Sequence, residues 1–261
     1  MTELRRRARA DGDERLFGDA ALPLLRSAVA ELSWLLSRGY SAESALKLVG
    51  DRHALTARQR LGALRCSCSD AARDARKARR VEARDLAGVH LAIDGLNALI
   101  TVESALSQGV VLRGRDGALR DLAAVHGAYE QVLETNFAVD AIMNLLHADP
   151  DVAPAQVTWL LDRPVASSGR LRALLLERAA PRALPWQVEL VHNPDPLLAA
   201  HAGVVATSDA WILDRCARWT DLLAGLLQPH AAAPPADGAA LLASRAHLWL
   251  CDLDDRPSTA R

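Results

Sequence analysis

The stretch His90-Leu91-Ala92-Ile93-Asp94-Gly95-Leu96-Asn97 decides the fold. It opens with a short apolar run of the kind that forms a buried strand, and this run ends in an aspartate. Similar runs alternate with helical patterns up to about residue 228. Such alternation is typical of an α/β domain with a mostly parallel sheet. The sequence therefore predicts the α/β class, with a helical N-terminal region followed by a three-layer domain that has a mostly parallel sheet.

Aspartates stand at the carboxyl ends of the predicted strands. Each apolar run ends in, or closely precedes, one of four residues: Asp94, Asp162, Asp195 and Asp209. Ligands of open α/β sheets bind outside the carboxyl ends of the strands. Four carboxylates there would repel one another unless a cation lay among them, and carboxylate oxygens suit Mg²⁺ or Mn²⁺. Such an ion can activate water and stabilise the leaving oxygen of a phosphodiester.

A simpler interpretation exists for each of these aspartates taken singly, because aspartate is a common helix cap and turn residue. Their shared position at strand ends favours a joint metal site. At the level of sequence both interpretations stay open.

Composition divides the chain into four segments. We predict a flexible N-terminus, a basic helical domain, the α/β domain, and a linker with a C-terminal segment that can add an edge strand, over residues 1–16, 17–87, 88–228 and 229–261. Thr56 and Gln59 have the spacing of a capping box, so one long helix is expected from there to about Arg80. Further long helices are expected around Val125 to Leu146 and over residues 210–227.

Basic residues gather in the helical domain. Between Lys47 and Arg84 there are eleven basic and four acidic residues, a net charge of +7, although the whole chain carries only −1. Such a surface can contact phosphates without reading a base sequence. Arg76, Arg79 and Arg80 are therefore candidate substrate-binding residues. A solvated helix face with internal ion pairs is the alternative.

Other candidate substrate-binding residues lie in the α/β domain. Ser167, Ser168 and Arg170 stand at the start of a predicted helix, where hydroxyls and backbone N–H groups can cradle a phosphate. Arg120 and His126 lie near a predicted hairpin, and His126 is a candidate general acid or hydrogen-bond donor. An ordinary serine cap and a packing histidine are the alternatives.

Several classes of protein are excluded by pattern. The four cysteines have the spacing of neither a zinc site nor a disulfide framework, and no apolar run is long enough to span a bilayer. We find no dinucleotide fingerprint, phosphate-binding P-loop or nucleophile elbow. These observations favour a cytoplasmic, bacterial protein without a membrane partner and without a secretory leader.

Two short motifs carry a resemblance. Ile93-Asp94-Gly95-Leu96-Asn97, together with Val204-Val205-Ala206-Thr207-Ser208-Asp209, resembles the PIN-like nucleases, in particular their NYN branch, over roughly residues 89–215. The resemblance implies a metal-dependent ribonuclease fold with a small parallel sheet. It also implies that Asp94 and Asp209 face the metal, that Asn97 orients the site, and that Asp162 and Asp195 supply further acids.

The chain also resembles, over nearly its whole length, a prokaryotic two-domain family without an established activity. Ser37-Arg38-Gly39-Tyr40 and Trp159-Leu160-Leu161-Asp162-Arg163-Pro164-Val165 are among the segments that carry this likeness. It supports the architecture and leaves the function open.

The function expected from sequence is that of a nuclease dependent on Mg²⁺ or Mn²⁺, acting on RNA rather than DNA. Its predicted catalytic residues are Asp94, Asn97, Asp162 and Asp209. A non-catalytic nucleic-acid or nucleotide-binding module on an inactive PIN-like scaffold is the main alternative. A hydrolase of small phosphate esters is a third hypothesis, and association into a homo-oligomer through the N-terminal helices is left open.

Overall fold

The computed structural model describes residues 6–123, 129–228 and 250–253. Within these ranges the strands are β1 (His90–Asp94), β2 (Val111–Arg113), β3 (Leu119–Asp121), β4 (Gln156–Asp162), β5 (Trp186–Val191), β6 (Val204–Ala206), β7 (Trp219–Thr220) and β8 (Leu250–Asp252). Five of them form a parallel sheet in the order β5-β4-β1-β6-β7. The other three form a small sheet in the order β3-β2-β8. The α/β fold class with a mostly parallel sheet is confirmed.

Helices precede the sheet and alternate with its strands. They are α1 (Asp13–Phe17), α2 (Leu22–Leu36), α3 (Ala42–Arg52), α4 (Ala57–Cys66), α5 (Asp70–Ala78), α6 (Gly95–Leu106), α7 (Thr135–His147), α8 (Ser168–Ala179), α9 (Asp195–Ala199), α10 (Ala210–Leu213) and α11 (Leu222–Leu226). None of those in the described ranges combines the length and apolar content that crossing a bilayer requires.

The central strand β1 is where the chain changes direction across the sheet. From β1 the chain moves outward to β4 and β5, and it then returns to the opposite side of β1 with β6 and β7. The strand order therefore reverses between β1 and β6. Ligands of open α/β sheets bind at this kind of switch point, outside the carboxyl ends of the strands.

Alternating side chains bury both faces of the main sheet. Leu91 and Ile93 of β1 belong to a core formed with α6, α7, α8 and α11. Ala92, between them, belongs to a second core formed with α9 and α10. Period-2 alternation produces this division, and coverage of both faces is the normal state of a parallel sheet.

The N-terminal helices share a third core with the small sheet. Phe17 and Leu25 pack in the same apolar cluster as Leu112 of β2 and Cys251 of β8. The Cys251 thiol also donates a hydrogen bond to the backbone oxygen of Phe17 at 3.1 Å. The edge strand expected near the C-terminus therefore forms at residues 250–252, but it joins the small sheet rather than the main one.

The described part of the predicted flexible N-terminus lies against this core. Asp13 is fully buried and accepts two hydrogen bonds from the Arg58 guanidinium, at 2.5 and 2.8 Å. A bidentate pair of this kind fixes both orientation and distance. Residues 6–17 are thus part of the folded body.

The single long helix expected from Thr56 to Arg80 is wrong. The capping box of Thr56 and Gln59 starts α4 as expected, but Ser67 is extended and ends this helix. The Ser69 side chain then accepts a hydrogen bond from the backbone of Ala72 and starts α5. Serine favours such caps over helix interiors because its hydroxyl competes for backbone groups.

The helix expected from about Val125 begins only at Thr135. Tyr129 and Val132 are buried but precede the helix, because a buried carboxylate holds this segment. The Tyr129 hydroxyl donates to Glu103 at 2.6 Å, and the Thr135 hydroxyl donates to the same oxygen at 2.6 Å. Val125 lies outside the described residues.

The helix expected over residues 210–227 is also wrong. Trp219 and Thr220 instead pair with β6 and extend the main sheet. The Asp221 carboxylate accepts a hydrogen bond from the backbone of Ala224 at 2.9 Å, so α11 is a separate helix with its own cap.

A buried ion network joins the helical region to the α/β region. Asp116, in the turn between β2 and β3, accepts hydrogen bonds from Arg76 of α5 at 2.7 Å and from Arg120 of β3 at 2.9 and 2.7 Å. Burial would raise the pKa of Asp116, but Arg120 and Arg76 hold it well below its usual range. Arg76 also donates to Asp214 at 2.8 Å.

We expect Asp116→Asn to lower the free energy of unfolding by about 3–5 kcal/mol, because it leaves two buried guanidinium groups without their shared counter-charge. Chemical denaturation followed by circular dichroism measures this change. Asp74→Asn removes an exposed ion pair with Arg73 and should leave the denaturation midpoint unchanged. Equal midpoints for the two variants would contradict the prediction.

Candidate functional site

The two motifs of the predicted site are joined by hydrogen bonds. Asp94 ends β1 and is buried, and its Oδ2 accepts hydrogen bonds from Asn97 Nδ2 at 2.6 Å and from Thr207 Oγ1 at 2.8 Å. Thr207 follows β6, the strand next to β1 at the switch point. Asp94 Oδ1 accepts no hydrogen bond from the residues that the structure describes. One oxygen of Asp94 is therefore fixed by two hydrogen bonds, and within the described ranges the other has none.

Asp209 caps a helix and also belongs to the site. Its Oδ1 accepts hydrogen bonds from the backbone N–H groups of Trp211 and Ile212, at 2.8 and 3.1 Å, at the start of α10. Its own N–H donates to Thr207 Oγ1 at 3.1 Å. Its Oδ2 has no such bond within the described ranges. The helix-cap interpretation of Asp209 is correct for Oδ1. Because Oδ2 takes no part in the cap, a role of this oxygen in binding is compatible with the structure.

Asp195 and Asp162 complete what we call the acidic cluster, made of Asp94, Asp162, Asp195 and Asp209. Asp195 interacts electrostatically with Asp94, Asp209 and Asp162. Asp162 ends β4 two residues beyond Leu160, which pairs with Asp94 across the sheet. Within this cluster, Asp162 therefore lies about 6–7 Å beyond Asp94 along the strand direction.

Burial and like charge change the protonation of the cluster. Burial raises the pKa of Asp94 to about 7 against the lowering effect of the Asn97 and Thr207 hydrogen bonds, and the nearby charges of Asp209 and Asp195 raise it further. Burial also raises the pKa of Asp162, and burial together with Asp209 and Asp162 raises the pKa of Asp195. Carboxylates with perturbed pKa values are more frequent at functional sites than elsewhere.

The geometry limits the kind of metal site that these residues can form. Among residues 6–123, 129–228 and 250–253, no group of three His, Cys, Asp or Glu side chains is placed to hold one ion. Mg²⁺ commonly binds through one or two carboxylates and keeps several waters. Asp94 ends β1 and Asp209 follows the neighbouring strand β6, so two carboxylates at this edge of the sheet are compatible with that mode. They do not fit an all-protein cage.

A cleft of about 230 Å³ opens beside the cluster. Its lining mixes acidic, basic and amide groups and includes Arg65, Asn97, Arg120, Asp121, Ser208 and Asp209. Arg65 is one-third exposed and donates to the backbone oxygen of Asp121 at 2.5 Å. Arg65 and Asp121 were not among the residues predicted for the site. Asp121 could have been noticed as an acid at the end of a predicted hairpin strand, whereas no sequence signal marks Arg65.

Two arginines that were predicted to bind substrate hold the backbone on both sides of Asp209. Arg120 Nε donates to the backbone oxygen of Ser208 at 2.9 Å, and Arg76 Nη2 donates to that of Ala210 at 3.2 Å. These carbonyls flank Asp209 on both sides. Because both guanidinium groups also bind Asp116, the buried ion network positions one carboxylate of the cluster.

The remaining basic candidates of α5 and the segment after it are also engaged inside the protein. Arg79 donates to the backbone oxygens of Leu213 and Cys216, at 2.9 and 2.6 Å. Arg80 donates to the oxygen of Gly117 at 3.2 Å and lies over the Trp219 ring. The structure therefore does not present Arg76, Arg79 and Arg80 as a row of available phosphate contacts. The charge of +7 overstates the basic surface of this region.

The serine segment lies at the outer edge of the cluster. Ser168 is buried, and its hydroxyl donates to the backbone oxygen of Asp162 at 2.6 Å. Ser167 has a left-handed backbone with φ of 73° and makes no side-chain cap. Arg170 is exposed on the first turn of α8. The segment thus closes the end of β4, and His126, the other candidate, lies outside the described residues.

Comparison with known proteins identifies two family models. One, described as a domain of unknown function (DUF5616), matches residues 83–225, which contain the main sheet and the acidic cluster. The other, described as a protein of unknown function (DUF434), matches residues 24–79, which contain α2 to α5. Neither of the two describes a PIN-like nuclease.

An archaeal protein is similar to most of this chain. An uncharacterized protein of Methanocaldococcus jannaschii is 27% identical over 190 residues, which cover 72% of this chain and 88% of that protein. No solved structure matches the chain significantly. The likeness to a prokaryotic family without an established activity is confirmed. Since the first family model spans more than half of its residues, the chain belongs to the DUF5616 family.

Proposed function

We propose that this protein is a divalent-metal-dependent phosphodiesterase acting on nucleic acid, with RNA as the expected substrate. The observation that carries the proposal is the hydrogen-bonded link between Asp94, at the end of β1, and the Thr207–Asp209 turn after β6, beside the switch point. A cleft lined by Asp209 and by the guanidinium groups of Arg65 and Arg120 adjoins this link. The resemblance to PIN-like nucleases stays a prediction that agrees with this arrangement.

Each residue of the site has a proposed task. Asp94 and Asp209 hold Mg²⁺ or Mn²⁺ through their available oxygens, and Asn97 and Thr207 fix the orientation of Asp94. The bound ion would supply an activated water and stabilise the charge on the leaving oxygen. Asp195, whose pKa is raised by burial and by neighbouring carboxylates, accepts a proton from the attacking water.

The residue to which we assign the phosphate contact is not one of those predicted from sequence. Arg65 lines the cleft with a partly exposed guanidinium, whereas Arg76 is almost fully buried. We therefore assign the phosphate contact to Arg65 and a positioning role to Arg76 and Arg120. A guanidinium beside a metal site is a common arrangement for charge stabilisation in phosphoryl transfer.

One observation favours a second function, that of a non-catalytic nucleic-acid or nucleotide-binding module. No three acidic side chains of the described ranges are placed to share an ion. A protein whose site no longer binds a metal would still keep the fold and the cleft. Measured metal binding separates the two functions.

We expect the protein to bind Mn²⁺ in calorimetric titration, and Asp94→Asn combined with Asp209→Asn to weaken this binding at least about tenfold. Both substitutions keep the shape, and asparagine also caps helices, so the fold should persist. Asp149→Asn with Asp151→Asn makes the same change of charge at an exposed turn and should bind like the wild type. Absence of binding to the wild type, even with an oligonucleotide present, would favour the non-catalytic module.

Metal affinity should depend on pH through Asp94. Its pKa of about 7 means that a cation must displace a proton at lower pH. We expect Mn²⁺ affinity to fall about tenfold per pH unit below 7 and to level off above pH 8. Titrations between pH 5.5 and 8.5 measure this dependence, and an affinity that is constant across that range would refute it.

The same carboxyl group should make the metal-free fold less stable at alkaline pH. Because the folded pKa of Asp94 lies above its unfolded value, its contribution to stability is complete below about pH 4 and is lost as the pH rises through 7. We compare the change in melting temperature that Asp94→Asn causes at two pH values. This change should be a few degrees more positive at pH 8 than at pH 4. Melting curves at the two pH values, recorded in EDTA, test this difference; an effect that does not vary with pH would speak against it.

A further inference from the structure

A large aromatic side chain is exposed beside the acidic cluster. Trp211 follows Asp209 by two residues, and its backbone N–H donates to Asp209 Oδ1 at 2.8 Å. Its side chain remains 43% exposed, although the next two residues of α10, Ile212 and Leu213, are fully buried. Burial of a tryptophan is strongly favourable, so an exposed one next to a cleft suggests a contact that only a ligand completes.

The Trp211 ring is held before any ligand arrives. The Arg215 guanidinium lies over it, 4.1 Å from the ring centroid. Arg215 also donates to the backbone oxygen of Trp211 at 3.0 Å, which ties the cation to the same helical turn. A cation on one ring face restricts the side chain and lowers the entropy cost of binding on the other face.

A second exposed apolar side chain follows another carboxylate of the cluster. Leu197 of α9 is 50% exposed and follows Asp195 by two residues, as Trp211 follows Asp209. The two short helices are in contact, and Leu198 and Ile212 belong to one core cluster. Each of two of the four carboxylates therefore has an exposed apolar side chain two residues after it.

We propose that Trp211 stacks on a nucleobase of the substrate, on the ring face opposite Arg215, while the adjoining phosphodiester lies at the acidic cluster. This inference rests on the proposed function and names its substrate class. Every base offers a flat apolar face, so stacking of this kind tolerates any sequence. It requires bases that are not stacked in a duplex, so the preferred substrate is single-stranded.

Binding of a fluorescein-labelled single-stranded RNA decamer, measured by anisotropy in Ca²⁺ to limit turnover, tests the proposal. We expect Trp211→Ala to weaken binding about 10- to 100-fold and Trp211→Tyr to keep it within about threefold, because a smaller ring still stacks. The duplex form of the same RNA should bind more weakly than the single strand.

Trp34→Ala is the matched control. Trp34 of α2 is 54% exposed and carries the Arg38 guanidinium 3.5 Å from its ring centroid, but it is not beside the acidic cluster. Its loss should leave RNA binding unchanged. Equal affinities for wild type and Trp211→Ala, or equal losses in Trp211→Ala and Trp34→Ala, would overturn the stacking proposal.

Mn²⁺ calorimetry on the same variants separates this inference from the proposed function. Trp211→Ala should bind Mn²⁺ like the wild type, which shows that the fold and the carboxylates are intact. If the wild type binds Mn²⁺ and Trp211→Ala retains RNA binding, only the stacking role fails. If the wild type binds neither Mn²⁺ nor RNA, the proposed function and the stacking role fail together.

Discussion

The arrangement of the site depends on one buried carboxylate. Asp116 receives guanidinium groups from a helix before the main sheet and from a strand of the small sheet, Arg76 and Arg120. Those same groups bind the backbone on either side of Asp209. A charge pair inside a protein is costly to desolvate, and its geometry is therefore strictly defined when it is kept. Here the buried ion network links three segments that are distant in sequence, and it positions one carboxylate of the acidic cluster.

Two buried aspartates of this protein have opposite environments. Arg76 and Arg120 surround Asp116, so its ionised form favours the fold. Asp94 faces other carboxylates and receives only the neutral donors Asn97 and Thr207, so its ionised form opposes the fold. Nearby cations lower the pKa of a buried acid, whereas burial without a cation raises it. The contrast within one molecule shows that Asp116 has a built-in counter-charge and that Asp94 has none from the described residues.

Local chemistry made much of the fold predictable. The apolar runs before Asp94 and Asp162 form the expected strands, and the capping box at Thr56 starts a helix as expected. Errors arose where distant residues decide the conformation: Glu103 holds the segment before α7, and pairing with β6 draws residues 219–220 out of a helical pattern. Net charge likewise could not show that the guanidinium groups of Arg76, Arg79 and Arg80 bind other groups of the protein. The hydrogen bond from Thr207 to Asp94 required the register of the sheet, which a single sequence does not contain.

The contact between Phe17 and Cys251 has a consequence for biosynthesis. These residues close one apolar core although 234 positions separate them. At a translation rate of about 5–20 residues per second, helices α1 to α4 wait on the order of ten seconds or more for the strand that covers them. During that interval their apolar faces are open to chaperones or to other nascent chains. The helical region is therefore synthesised long before the strand that completes its packing, and a chain truncated before residue 250 would leave this apolar core uncovered and prone to aggregation.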